Sequence, residues 1–535
     1  MDLDLKAPFQ RIFGPEPLGA PGHLWPRWLF LRALGLIFFS AFYSLAFQIE
    51  GLAGPQGILP AQDYLSALKA HVGILRYWYA PTLLWFGSGT LALHLLVWVG
   101  LIASVALFLN IWPRRTTAIA LIAYLSFIAA ARGFADFQSD GMLMAAGFLS
   151  LFFAPAGWRP GLGESSPPSF ASLFLLQWEW FRIYFESGVA KLAGHDPEWR
   201  HLTAMYHYFQ NCPLPTWVGW YAQQFPHPIL TFLALFTLVA ELGICWLFIF
   251  SRRSRLICFL ILTPFQIGII LTANYAFLNY LVLSLGFLLL DDGYVIGWLK
   301  RLQSFRMVKP ARALFPQQRV EPDGAPAPRT STAGLAVSGA FLTWIFYATS
   351  VLLLLMFNPS LPLPLQPVKT LQPFRIANQY GLFAVMTRER YEIGFQGSRD
   401  GKHWTAYPFR YKPQNPKKAP GIYAPYQPRF EWNLWFASLG DFEHNPWVVQ
   451  TEVLLLHNDP SVLSLFRSNP FPGKPPMEVR TVLWQYRFTD FSTKHETGRW
   501  WDRNFLGLYA PVMGRLPDGK TFVKEWPRNV PPPPY

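Results

Sequence analysis

Hydrophobic residues along this chain come in long unbroken runs, not in the short alternations of a soluble domain. Nine runs stand out, at 28–47, 88–110, 116–131, 137–154, 170–192, 228–250, 256–272, 275–290 and 335–357. A helix needs roughly 20 apolar residues to cross the hydrocarbon core of a bilayer. The pattern therefore predicts a polytopic α-helical membrane bundle of about nine transmembrane helices within residues 1–357, the third and fourth being short. Residues 64–86 mix Lys69, His71 and Arg76 with several aromatics and read as an amphipathic helix lying in the interface or as a lumen-facing loop, the former being favoured. The polar connection 132–140, RGFADFQSD, holds Arg132, Asp136 and Asp140 and reads as a loop that dips into the bundle.

Beyond 357 the pattern changes. NPSLPLPLQPV (358–368) is a stiff proline-rich tether. Residues 391–411 read as two strands around Asp400-Gly401, a hairpin signal. Residues 448–467 carry a helical period with Leu454, Leu455, Val462 and Leu465 as apolar anchors, and 479–488 alternate as a strand. A second domain over 358–535, of α+β or β-sandwich type, is the expectation.

Composition agrees with a membrane protein. Only 14% of the 535 residues are charged, against roughly 25% in soluble domains, and mean hydropathy is +0.20. The net charge of +14 does not point to nucleic acid, because the basic residues sit in short loops beside apolar runs. Arg114 and Arg115, then Arg252, Arg253 and Arg255, then Lys300, Arg301, Arg306, Lys309 and Arg312 mark three loops as cytoplasmic. The amino terminus and the linker 291–334 are then inside. The loop 193–227 and the domain 358–535 are outside the cytoplasm. The three cysteines, Cys212, Cys245 and Cys258, include no CxxC. The terminal PPPPY reads as a frayed proline tail.

The run 170–192 carries Glu179, Arg182, Glu186 and Lys191. Ionisable groups at membrane depth are costly and mark function or a paired network. Glu179, Arg182 and Glu186 are spaced i, i+3, i+7 and share one helix face. Two readings are open for them, a polar site inside the bundle or an ion network that fixes packing. Lys191, off that face, is either a lysine snorkelling to water or a general base in a desolvated pocket. Asp196-Pro197-Glu198 is a helix start with Asp196 as N-cap. His201 and His207 do not share a face as a metal pair would, so no metal site is expected. Glu241 is a lone acid in its run, and Asn274 and Asn279 flank a turn that they are expected to cap. Trp432 and Trp435, in RFEWNLWFA (429–437), are either a partner-binding platform or core. No motif names a cofactor: Walker, GxSxG and HExxH patterns are all absent.

FESGVAKLAGHDPEW, HYFQNCPLPT, YGLFAVMTRERYEIGFQGSRDGKHWTAYPFRYKP, PRFEWNLWFASL and YRFTDFSTKHETGRWW resemble the lipase maturation factor family, over most of the chain. The resemblance implies a membrane-anchored factor that assists folding, maturation or assembly of secreted proteins, with lipase clients. Animal members sit in the endoplasmic reticulum membrane; a prokaryotic member would sit in the cytoplasmic membrane. More distantly, the membrane half is similar to the vitamin K-dependent carboxylase type. On that likeness Lys191 falls on a catalytic lysine, and Asp140, in FQSDGML, matches a catalytic histidine. Ala190 stands where that family has another lysine. This second resemblance implies a membrane-embedded enzyme with an outward-opening pocket around Lys191 and a lipid-like molecule as partner.

Overall fold

The computed structural model describes residues 6–16, 22–304 and 332–528. Residues 313–331 of the proline-rich linker and the terminal PPPPY lie outside them. Helices form in all nine apolar runs, but among the described residues only five are long and apolar enough to cross a membrane: Leu24–Ala46, Thr90–Phe108, His227–Phe248, Arg252–Thr272 and Thr332–Phe357. A sixth is reached if Leu278–Leu289 and Asp292–Arg301, bent by 103° at their junction, count as one. The remaining helices fall short for separate reasons. Pro113–Ala130 opens on two arginines, Gln138–Phe153 has 16 residues, and Phe170–Ala193 carries four ionisable side chains. They are also the helices most enclosed by others, where apolarity toward lipid is not required.

Phe170–Ala193 is the centre of the bundle, packed by Gln138–Phe153, His227–Leu242, Leu278–Gly286 and Thr332–Phe357. One end of the bundle is tied by polar groups. Asp292 accepts from the backbone N–H of Leu24 and Trp25 (3.2 and 2.7 Å), capping the first long helix from a distance. Buried Arg27 donates to the carbonyls of Leu162, Gly163 and Ser166, and Arg252 pairs with Asp291 at the same end. Between the first two long helices lies a short helix, Ala61–Val72, followed by the turns Gly73–Leu75, Arg76–Tyr79 and Leu83–Phe86. Ile74 is 75% and Phe86 89% exposed there. The single helix expected over 64–86 is thus broken at Gly73 (φ 56°) into a helix and a series of turns.

The carboxyl-terminal part is built on a six-stranded antiparallel sheet: β1 (Arg390–Ser398), β2 (Trp404–Ala406), β3 (Glu478–Phe488), β4 (Trp501–Leu508), β5 (Val512–Arg515) and β6 (Thr521–Glu525). The order is β2-β1-β3-β5-β6, with β4 also on β3. β1 and β2 pair around Asp400-Gly401, where Gly401 takes φ +73°. The helical run at 448–467 is two pieces, Trp447–Leu456 and Pro460–Leu463. Asn458 turns left-handed (φ 55°), and Asp459 with Pro460 starts a new helix. The aromatic run is the helix Arg429–Ala437.

The two parts share a core. Leu52, Ile58 and Phe134 of the helical part pack with Phe395, Phe430 and Leu455 of the sheet part. Conversely Leu371, Ile376, Ala377, Tyr380 and Met386 are packed into the core of the helical bundle. The segment 371–386, which the sequence leaves between tether and first strand, is thus packed into the bundle.

One buried acid in the sheet part sets a pH dependence. Glu452, on Trp447–Leu456, is fully buried and bonded to the Thr481 hydroxyl. Burial pushes its carboxyl well above the ordinary glutamate value of 4.5. A carboxyl whose folded value is raised contributes stability that is full below 4.5 and is lost as pH rises toward the folded value. Each pH unit of that window removes up to about 1.4 kcal/mol. Glu452→Gln should therefore melt higher than the parent at pH 8 and no higher at pH 4. Equal shifts at both values, read by thermal unfolding, would show that Glu452 does not titrate this way.

Candidate functional site

A cavity of about 680 Å³ lies in the end of the bundle that meets the sheet part. Its walls come from Phe170–Ala193, His227–Leu242, Arg252–Thr272 and Leu278–Gly286, and its roof from residues 381–385 and the helix Arg429–Ala437. The lining is largely aliphatic and aromatic. Lys191 and Glu241 are the only Lys, Arg, Asp or Glu among its lining residues.

Lys191 is 2% exposed and does not snorkel. Its Nζ donates to Glu241 Oε1 and Oε2 (2.9 and 2.8 Å) and to the Leu382 carbonyl (3.1 Å), and it lies 5.1 Å from the Trp199 ring centroid. All three ammonium protons are engaged. The lone acid of the sequence thus finds its partner 50 residues upstream. Gly188 permits this approach. A Cβ there would lie 2.8 Å from the Leu242 side chain and 3.0 Å from Glu241 Cβ, so a larger residue would push the Glu241 helix away. As a base, Lys191 would first have to leave Glu241. In this arrangement it is a charge partner.

Glu179, Arg182 and Glu186 lie behind the cavity wall and are not part of its lining. Arg182 Nη1 donates to Glu186 Oε1 (3.1 Å) and to the Asn378 carbonyl (2.7 Å). Glu186 Oε2 accepts from the Tyr380 backbone N–H (2.7 Å). Glu179 joins only through the Tyr380 hydroxyl (3.4 Å), whose ring also carries the guanidinium at 5.1 Å. The helical spacing thus brings Arg182 and Glu186 together, and the segment 378–380 supplies what the helix face cannot.

Asp140 also sits outside the cavity lining, although its neighbours Phe137, Gln138 and Ser139 are in it. It forms a buried two-pronged pair with Arg429 (Nη1–Oδ2 3.0 Å, Nη2–Oδ1 2.8 Å), accepts from the Tyr124 hydroxyl, and caps its own helix through the Phe137 N–H. Arg429 further donates to the Phe134 carbonyl (2.8 Å). Asp140 therefore anchors the helix Arg429–Ala437, and with it the roof, to the bundle.

Trp432 is buried in the roof, its indole N–H without a hydrogen-bond partner among the described residues. Trp435 is half-buried and lines the cavity, next to Phe436, which is exposed. Asn274 does not cap its turn but reaches the sheet part, where its Oδ1 accepts from the backbone N–H of Tyr423 and Ala424, and Asn279, inside the helix Leu278–Gly286, donates to Gln266 Oε1 instead. Asp196 caps Pro197–Arg200 as the sequence predicts and accepts from the Met386 N–H (2.6 Å) as well. Trp199 Nε1 donates to the Phe383 carbonyl, and Arg388 pairs with Glu198 (2.9 Å). The segment 375–388 is a strap that the sequence reading passed over. Its contacts are largely through backbone groups, which leave no side-chain signature. The run of Asn378, Tyr380 and Arg388 is the available hint.

The helical part, residues 25–296, matches the family model of the lipase maturation factor transmembrane domain. Residues 376–511 match that of the lipase maturation factor C-terminal domain. Lipase maturation factor 1 of Bos taurus is 31% identical, covering 95% of this chain and 93% of its own length. Lipase maturation factor 1 of Homo sapiens is 29% identical over 96% and 93%. Lipase maturation factor 2 of Gallus gallus is 31% identical over 91% of this chain and 81% of its own. No solved structure matches the chain.

The Lys191–Glu241 pair makes a prediction that differs from that of a snorkelling lysine. Lys191→Met strands the Glu241 charge in an apolar wall, at roughly 3–5 kcal/mol. Its melting temperature should fall sharply, and Lys191→Met with Glu241→Leu should recover much of the loss. Parent-like melting of the single variant in detergent would mean that the pair is not formed.

Proposed function

The chain belongs to the lipase maturation factor family, and from that premise we propose that it is a membrane-anchored factor that helps secreted lipases reach their active fold. The observation that carries this reading is the match over both parts of the chain, including the strap that joins them. The orientation proposed is amino terminus inside and residues 358–535 outside the cytoplasm. In its support, Arg114, Arg252 and the helix Asp292–Ser304 lie at the end of the bundle opposite the sheet part. The short and charged helices within the bundle are proposed to span as well, giving nine crossings. Their ionisable groups are met by protein and not by lipid.

Client contact is assigned to the outside surface around Trp435 and Phe436, with Trp432 holding that helix in the roof. A second reading, an enzyme using Lys191, is favoured by the cavity itself. The engaged state of Lys191 weighs against it. One assay separates the two. In cells lacking their own lipase maturation factor, this chain should restore secretion of active lipase, and Trp435→Asp with Phe436→Asp should lose that while remaining folded. Lys191→Arg, which keeps the charge but removes any base near neutral pH, should stay active. Loss of activity in folded Lys191→Arg, with the surface variant unaffected, would overturn the reading in favour of the enzyme.

A further inference from the structure

The cavity carries a ligand preference of its own, beyond and independent of the client reading. It lies beside lipid. His227–Leu242 and Arg252–Thr272 are joined through the turn Ile244–Phe248, yet their cavity-lining stretches meet through a single ring contact, Phe236 on Phe265 at 5.6 Å. The outer faces of the same helices expose Phe232, Leu235, Leu260 and Ile267, as lipid-facing helices do. Gly268 lines the cavity on the second helix, and a Cβ added there would meet nothing within 4 Å. The wall toward the membrane is therefore one side chain thick and open at Gly268.

The volume of about 680 Å³ suits one small ligand. Electrically the cavity is neutral, because its one cation and one anion are joined at 2.8 Å. A phosphate or carboxylate head would have to displace Glu241 from Lys191, and an amine would have to displace Lys191 from Glu241. Three polar atoms of the lining are buried and unpartnered among the described residues, one of them the Tyr275 hydroxyl, which can donate or accept. Trp432 Nε1 is a donor and Asn279 Oδ1 an acceptor. The Asn279 amide nitrogen is already used, on Gln266 Oε1 at 2.7 Å. Buried polar groups in native structures are satisfied, by protein, water or ligand. A neutral hydroxyl can accept from the indole N–H or donate to the amide oxygen, and it can pair with the Tyr275 hydroxyl as well. Around it the lining offers hydrocarbon.

We propose that this cavity binds a neutral, hydroxyl-bearing, single-tailed lipid that enters from the membrane between His227–Leu242 and Arg252–Thr272 past Gly268. A monoacylglycerol and a long-chain alcohol share that chemistry.

The test is photocrosslinking of the full chain in nanodiscs with two probes of equal tail, a diazirine monoacylglycerol and a diazirine fatty acid, mapped by peptide mass spectrometry. The monoacylglycerol should label cavity residues such as Thr237, Phe265 and Tyr275. Gly268→Trp should abolish that labelling. Trp432→Phe, which removes only the N–H, should weaken it about ten-fold, the equivalent of about 1.4 kcal/mol. Competition by unlabelled long-chain alcohol shows whether the glycerol is needed or the hydroxyl suffices. Labelling confined to lipid-facing residues such as Phe232 and Leu260, unchanged in Gly268→Trp, would overturn the site. If Gly268→Trp fails to fold, parent-level labelling in Trp432→Phe would by itself overturn the proposed head contact. Equal cavity labelling by the fatty acid would overturn the neutral preference.

Discussion

An ion at membrane depth must be matched by another ion or by backbone dipoles, because neither water nor lipid will do it. This chain places a guanidinium, an ammonium and several carboxylates in or beside one central helix, and the rest of the structure follows from how they are matched. Arg182 and Glu186 satisfy each other only in part. The Asn378 carbonyl and the Tyr380 N–H complete the set. Lys191 takes Glu241 from the next long helix and the Leu382 carbonyl from the strap. Asp140 takes Arg429 from beyond the tether. Each match draws a different piece of chain onto the same end of the bundle.

The consequence is that the two parts of the molecule do not act as separate bodies on a flexible joint. The strap is packed in the helical core, residues of the helical part enter the core of the sheet part, and the roof of the cavity is a helix of the carboxyl-terminal region. The arrangement fixes the surface of the carboxyl-terminal part relative to the bundle. The cavity is a by-product of the same constraint. Gly188 lets the Glu241 helix come close at Lys191, and beside the cavity Phe236 of that helix meets Phe265 of the next.

The apolar runs, the charged helix, the Asp400-Gly401 hairpin and the Asp196 cap were all legible in the sequence, because each is written in local periodicity or in residues a few positions apart. The Lys191–Glu241 pair was not, since nothing local links positions 50 residues apart. Asp140 was singled out for chemistry by likeness to another family, whereas its partner Arg429, 289 residues on, makes it a clamp. The strands β4 to β6 escaped notice because they lack the alternation of a half-buried sheet; β6 is exposed at every residue. The break at Asn458-Asp459-Pro460 could have been read, since Pro after Asp is a helix start. Apolarity alone marks five or six spans, because a helix enclosed by other helices need not be apolar.

The central claim is that backbone groups of residues 375–388 complete the ion pairs of the bundle, and amide hydrogen exchange on the intact protein in nanodiscs tests it most directly. The amides of Tyr380 and Met386, bonded to Glu186 and Asp196, should exchange as slowly as the core of the central helix and open only with the bundle as a whole. Exchange of this segment on the fast timescale of a solvated linker, with the central helix still protected, would contradict the account.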